Sequence, residues 1–156
     1  MEHRNITKSR NALFNTLQCK CPRCREGKLF VSPNPYKLGQ TLSMKKECPV
    51  CKQPTEIEVG FYTGAAYVSY ALTVALAVSV FVAYYVLVGF SFSIDDNRIF
   101  GCLATTILVI VVLAPVVMRL SRSIWLSFFV SYDPDWETNG ISNHERINPI
   151  GMETAR

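Results

Sequence analysis

Two long stretches without charged residues dominate the hydrophobic pattern of the chain. The first runs from Val59 to Ile94, and the second from Ile99 to Met118. A helix needs about 20 apolar residues to cross a bilayer at about 1.5 Å rise per residue, so each stretch is long enough. The pattern predicts two transmembrane helices, at about residues 65–92 and 99–118.

Polar segments surround these spans and divide the chain into regions. Residues 1–18 are polar and basic, and residues 19–58 hold four paired cysteines. The link between the spans is too short for a folded domain, so residues 59–118 are expected to form a hairpin. Residues 137–156 are polar and contain Asn-Gly and Asn-Pro pairs, which predicts a disordered tail.

The segment after the second span is amphipathic. Leu120, Ile124 and Phe128 recur every fourth residue, with an arginine and several serines between them. Pro115 lies one turn before this segment and is expected to kink the helix. The pattern predicts an interfacial amphipathic helix over residues 119–136. The alternative is a direct extension of the second span.

The first span carries small residues at every fourth position. They are Ala65, Ser69, Thr73 and Ala77. Such a stripe lets two helices approach closely in lipid, so it is expected to pack either on the second span or on a partner protein.

Charge sets the orientation of the hairpin. Residues 1–58 carry eleven Lys and Arg against five Asp and Glu, and Arg119 and Arg122 follow the second span. The link offers Arg98 beside two aspartates. Because Lys and Arg near the spans favour the cytoplasm, both termini are predicted to be cytoplasmic and the link to lie outside.

Two C-x-x-C pairs predict a metal site in residues 19–58, which we call the cysteine module. The pairs are Cys21–Cys24 and Cys48–Cys51. Four thiolates in a tetrahedron suit Zn²⁺, and they also suit iron in a rubredoxin-like site. A redox dithiol is the third interpretation. Zinc is favoured because thiols stay reduced in the cytoplasm and a module this small needs a metal to fold.

The two remaining cysteines and the residues that follow the C-x-x-C pairs are also interpreted. Cys19 is interpreted as a bystander and Cys102 as a small apolar residue of the second span. Arg25 and Lys52 follow the second cysteine of each pair, where many zinc knuckles place glycine.

The motifs together resemble one family. They are Cys21-Pro-Arg-Cys24 with Gly27-Lys28-Leu29-Phe30, Cys48-Pro-Val-Cys51, the stretch from Glu58 to Tyr70, Pro115, and the segment from Arg119 to Trp125. Over residues 19–133 the chain resembles the small bacterial membrane proteins catalogued as domain of unknown function 983, in the form typical of Bacteroidetes members. It lacks the acidic Gly-Asp-Gly-Pro-like sequence of many members, so no role of that acid is carried over. The resemblance implies the bacterial inner membrane and, through neighbouring genes in some bacteria, a respiratory oxidase or its assembly factors as partner.

Taken together, the sequence predicts an α-helical membrane protein. A zinc-ribbon-like module is followed by a two-helix transmembrane hairpin and a short interfacial helix. The spans contain no Asp, Glu, Lys, Arg or His and no catalytic motif is present, which predicts a non-enzymatic accessory or assembly factor with no small-molecule substrate. The alternatives are a membrane-tethered nucleic-acid binder, disfavoured by few stacking aromatics, and a redox or metal-handling protein.

Overall fold

The structure, a computed structural model, describes residues 12–89 and 98–141. It contains three α-helices: α1 (Ala12–Leu17), α2 (Ala65–Val88) and α3 (Arg98–Phe129). Single 3₁₀ turns occur at Leu38–Gln40 and Phe61–Thr63. No β-strand is assigned within these residues, and the cysteine module is instead held by isolated bridges that join Lys20 to Lys28, Phe30 to Met44 and Glu47 to Pro54.

Helices α2 and α3 pack against each other as an antiparallel hairpin. Their 24 and 32 residues correspond to about 36 and 48 Å of helix. Both are long and apolar enough to cross a membrane, and the most apolar stretch of α2 contains no buried residue. A core helix of a soluble protein would be covered at such positions. The end of the first predicted span and the link between the spans lie outside the described residues.

The small-residue stripe lies on the covered side of α2. Ala65 is buried, and Ser69, Thr73 and Ala77 are half-buried, whereas residues on the opposite side are exposed. Of the two expected partners for this stripe, the second span therefore takes it. The two helices also approach each other closely at both ends of the hairpin. A side chain at Gly64 would collide with the ring of Trp125, and one at Gly101 with the hydroxyl of Tyr84.

The predicted interfacial helix over residues 119–136 is not a separate helix. α3 continues through Pro115 to Phe129, so residues 119–129 extend the second span. Leu126 and Val130 are fully buried against the cysteine module. The predicted boundary was wrong because Pro115 does not end α3. The face that packs on the module is not the predicted stripe either, since Phe128 is 68% exposed whereas Ser123 and Leu126 are buried. We call residues 119–129 the α3 extension.

Arg119 joins the base of the α3 extension to the cysteine module. Its side chain is 5% exposed, and its guanidinium lies 4.8 Å from the centre of the Phe30 ring. It donates hydrogen bonds to the carbonyl oxygens of Thr41 (2.9 Å), Ser32 (2.9 Å), Pro33 (3.3 Å) and Asn34 (2.9 Å). One buried cation thus holds both ends of the loop formed by residues 31–42.

Arg23 joins the other end of the module to the segment that follows α3. It donates to the carbonyls of Asn139 (2.9 Å) and Gly140 (2.7 Å), and it lies 3.4 Å from the Asp133 carboxylate. Burial alone would raise the pKa of Asp133, but hydrogen bonds from Asn139, the Asp135 amide and Arg23 lower it. Residues 137–141 of the predicted disordered tail are therefore attached to the module, and residues 142–156 lie outside the described part.

The α3 extension therefore supports the cysteine module, which contacts it at both ends. Arg119 binds the loop at its base, and Leu126 and Val130 pack with the cysteines near its tip. Eleven residues separate Arg119 from Val130, which corresponds to about 16 Å of helix. The module and the segment after α3 consequently lie at the same end of the hairpin.

Candidate metal centre

Two matching turns position the four cysteines. In the first, the amide of Cys21 donates to Gly27 (2.8 Å) and the Cys21 carbonyl accepts from Arg25 (2.8 Å). In the second, the amide of Cys48 donates to Gln53 (2.8 Å) and the Cys48 carbonyl accepts from Lys52 (3.1 Å). Each turn thus folds its C-x-x-C pair so that both sulfur atoms face the same side.

The residue after each pair adopts a left-handed conformation. Arg25 has φ of 60° and Lys52 has φ of 59°. This conformation suits glycine, because a Cβ atom costs about 1 kcal/mol or more there. The absence of glycine at these two positions, noted from the sequence, is therefore accompanied by backbone strain in both turns.

The two turns bring the four sulfur atoms into one cluster. Cys21, Cys24, Cys48 and Cys51 all place their Sγ atoms within 4.8 Å of one another, and the residues are at most 8% exposed. The Sγ atoms of Cys21 and Cys51 are 3.7 Å apart, as are those of Cys24 and Cys48. A tetrahedron with metal–sulfur bonds of about 2.3 Å has edges of about 3.8 Å, whereas a disulfide bond is about 2.05 Å long. The spacing fits four thiolates around one ion.

The thiols of the cluster set one another's proton affinity. A hydrogen bond with the Cys21 thiol lowers the pKa of Cys24 and brings the pKa of Cys48 to about 6. The corresponding bond with Cys24 raises the pKa of Cys21. Thiolates and thiols therefore coexist near neutral pH. A metal would displace the remaining protons, so the affinity of this site for metal falls as the pH falls.

No family model matches the chain. No curated protein and no solved structure matches it either. Membership of the family that the sequence resembles therefore stays a prediction.

Within residues 12–89 and 98–141, this cluster is the one group of His, Cys, Asp or Glu side chains close enough to hold a metal. Cys19 lies outside it and lines a cavity beside Arg119, where burial raises the pKa of its thiol against the opposing effect of the Arg119 charge. Cys102 is buried in α3. All four cysteines selected from the sequence are thus brought together, and the chemistry of the cluster is that of a soft metal site.

Gly27 also belongs to this centre, although the sequence motif that contains it did not predict this role. A Cβ atom added at Gly27 would lie 2.3 Å from the Sγ of Cys48 and 3.3 Å from the side chain of Pro49. The absence of a side chain therefore lets the second turn reach the first. Nothing in the sequence marks this requirement, because Gly27 and Cys48 are far apart along the chain.

Gly27→Ala is expected to weaken metal binding. The added methyl pushes the Cys48 sulfur out of the tetrahedron, and displacing a supporting residue of a metal site costs about 10–100-fold in affinity. Competition with a chromogenic chelator measures the change. Gly39→Ala is the matched control, since a Cβ atom there meets nothing within 4 Å. Equal affinities of the two variants would show that Gly27 does not govern the approach of the turns.

Lys52→Gly is expected to stabilise the metal-loaded module by about 0.5–1 kcal/mol, because it removes the left-handed strain. Thermal unfolding of the module in the metal-loaded protein checks this. Lys52→Ala removes the exposed side chain but keeps the Cβ atom, so it should give no such gain. A similar gain in both variants would assign the effect to the lost charge.

Proposed function

We propose that the chain is a two-span protein of the bacterial inner membrane with a cytoplasmic, structural zinc ribbon. In this proposal it is not an enzyme and acts as an accessory or assembly factor, by contact with another membrane protein. Zn²⁺ would be held by Cys21, Cys24, Cys48 and Cys51. A respiratory oxidase or its assembly machinery, which the family resemblance implies, is the first partner to test.

One observation carries this proposal: the four-sulfur cluster is closed and is built into the junction with α3. All four cysteines are buried, and four thiolates fill a tetrahedral ion, which leaves no position for a substrate. The same cluster includes Leu126 of the helix that would cross the membrane and Val130, which directly follows that helix. Such an ion would hold the cysteine module in one conformation at a fixed position relative to the bilayer. This favours a role in binding another protein over a role in catalysis.

The orientation follows from charge together with geometry. The cysteine module and the segment after α3 lie at one end of the hairpin and contain most of the Lys and Arg residues. The positive-inside rule assigns this end to the cytoplasm. A cysteine introduced at Asn97 should then react with an impermeant thiol reagent in intact cells, and one at Ser142 should not. The reverse labelling would overturn the orientation.

The outer face of α2 is the surface proposed to meet a partner. The small stripe is already used by α3, so the exposed face is the one with Tyr70, Val74 and Val78, which are 72%, 43% and 56% exposed. These residues follow one another at helical spacing on the side away from α3. A hairpin alone leaves this face to lipid or to another helix.

Photocrosslinking in native membranes tests the accessory function. A photoreactive residue at Tyr70, Val74 or Val78 should capture a discrete second protein, which mass spectrometry identifies. The same residue at Thr73, on the side facing α3, should give only a crosslink within the chain. If the three outward positions give only lipid adducts and copies of the chain itself, the accessory function is wrong and the oxidase association falls with it.

A further inference from the structure

The loop of residues 31–42 exposes apolar side chains that neither the metal centre nor the hairpin uses. Leu38 is 80% exposed, Val31 is 53% exposed and Tyr36 is 51% exposed. The loop spans only twelve residues and its backbone is firmly held, so these side chains are presented on a fixed surface. A soluble module would gain nothing by displaying them to water.

The position of the loop identifies what covers these side chains. Arg119 binds the carbonyls of Ser32 and Thr41, and Arg119 is the first charged residue after the apolar stretch of α3. Pro33 and Pro35 line a common cavity with Val116 and Leu120 of α3. The loop is therefore attached to α3 at the level where the proposed span leaves the hydrocarbon.

The charges of this region also fit a lipid surface. From Gly27 to Lys46 the chain contains four lysines and no Asp or Glu. Lys37 lies between Tyr36 and Leu38 and is exposed, and Lys28 lines the cavity beside Arg119. Tyrosine and lysine both favour the headgroup layer, where an apolar body or stem is buried and a polar end stays hydrated.

We propose that the loop of residues 31–42 docks into the headgroup layer of the membrane, with Leu38 and Tyr36 as its anchors. The part of the cysteine module nearest Arg119 then contacts the bilayer. The part that contains the four clustered cysteines lies farther from it. The inference rests on the proposed membrane insertion of the hairpin. Its occupant is phospholipid, and a protein partner at this loop is the competing outcome.

The test places a photoreactive diazirine amino acid at position 38 of the full chain, loaded with metal and reconstituted in vesicles of phosphatidylcholine and phosphatidylglycerol. Val50 is the matched control, because it is apolar, 38% exposed and adjacent to the metal ligand Cys51 near the tip of the α3 extension. Position 38 should give roughly tenfold more lipid adduct, because the neighbouring Cys51 is clustered with Val130, which lies about 16 Å of helix beyond Arg119.

A third position separates this inference from the proposed insertion. The same amino acid at Val82, on the outer face of α2, reports whether the hairpin is in the bilayer at all. Lipid adducts at 82 and 38 but not at 50 support docking of the loop. Adducts at 82 with equal or lower yield at 38 than at 50, or protein adducts at 38, overturn the docking and leave insertion standing. No adducts at 82 would overturn both.

Discussion

Cys48→Ser is expected to abolish metal binding and to unfold the cysteine module, while both long helices stay folded. A neutral hydroxyl is a poor substitute for one of four thiolates. The apparent binding free energy of a structural zinc site is about 10 kcal/mol or more. The few apolar side chains buried beside the cysteines, Leu29, Phe30 and Ile57 among them, are too small a core to replace it. Metal analysis should fall from one ion per chain to almost none, and trypsin should cut throughout residues 19–58.

Cys19→Ser is the control for this experiment. Cys19 lies outside the four-sulfur cluster, so this variant should keep its metal and its resistance to trypsin. Full retention of metal in Cys48→Ser would remove Cys48 from the ligand set. Loss of metal in Cys19→Ser would instead make Cys19 part of the site.

Arg119→Met is expected to release the loop of residues 31–42 from α3. The guanidinium donates to four carbonyl oxygens, and a hydrogen bond to a charged group contributes about 1.5–3 kcal/mol when its partner is buried. Water can reach some of the freed carbonyls, so we expect a total loss on the order of 4 kcal/mol. The rate of tryptic cleavage after Lys37 measures the release.

Arg122→Met is the matched comparison, because Arg122 lies on the next turn of the same helix. It makes one hydrogen bond, to the Leu42 carbonyl (2.8 Å), and contacts the Tyr62 ring. Its loss should cost about 1 kcal/mol and leave cleavage after Lys37 close to that of the wild type. Equal protection of the loop in wild type and Arg119→Met would contradict the role assigned to Arg119.

The four-cysteine cluster and the long helices are marked by local sequence patterns, and the sequence was sufficient to predict them. A two-residue spacer between cysteines and a charge-free run of about 20 residues each encode their structure without distant contacts. The same holds for the stripe with Ser69 and Thr73, where small size at every fourth position predicted close helix packing. Its partner, α3, became known only from the structure.

The features that sequence reasoning missed depend on contacts between distant residues. Arg119 was interpreted only as a charge that sets orientation, yet its acceptors lie 78–87 residues earlier in the chain. Leu126 and Val130 were not part of the predicted apolar stripe, yet they are buried with the cysteines in the core of the module. Gly27 matters because of one sulfur atom 21 positions away. Hydrophobic periodicity cannot distinguish lipid from a protein surface, and it contains no information on such pairings.

Metal K-edge X-ray absorption on the purified full chain tests the central claim most directly, because the proposed non-catalytic function depends on a closed four-thiolate zinc site. The account predicts one zinc per chain with four sulfur neighbours at about 2.3 Å, unchanged when imidazole is added. An iron edge, a nitrogen or oxygen ligand in the coordination shell, or a purified protein without metal would contradict it.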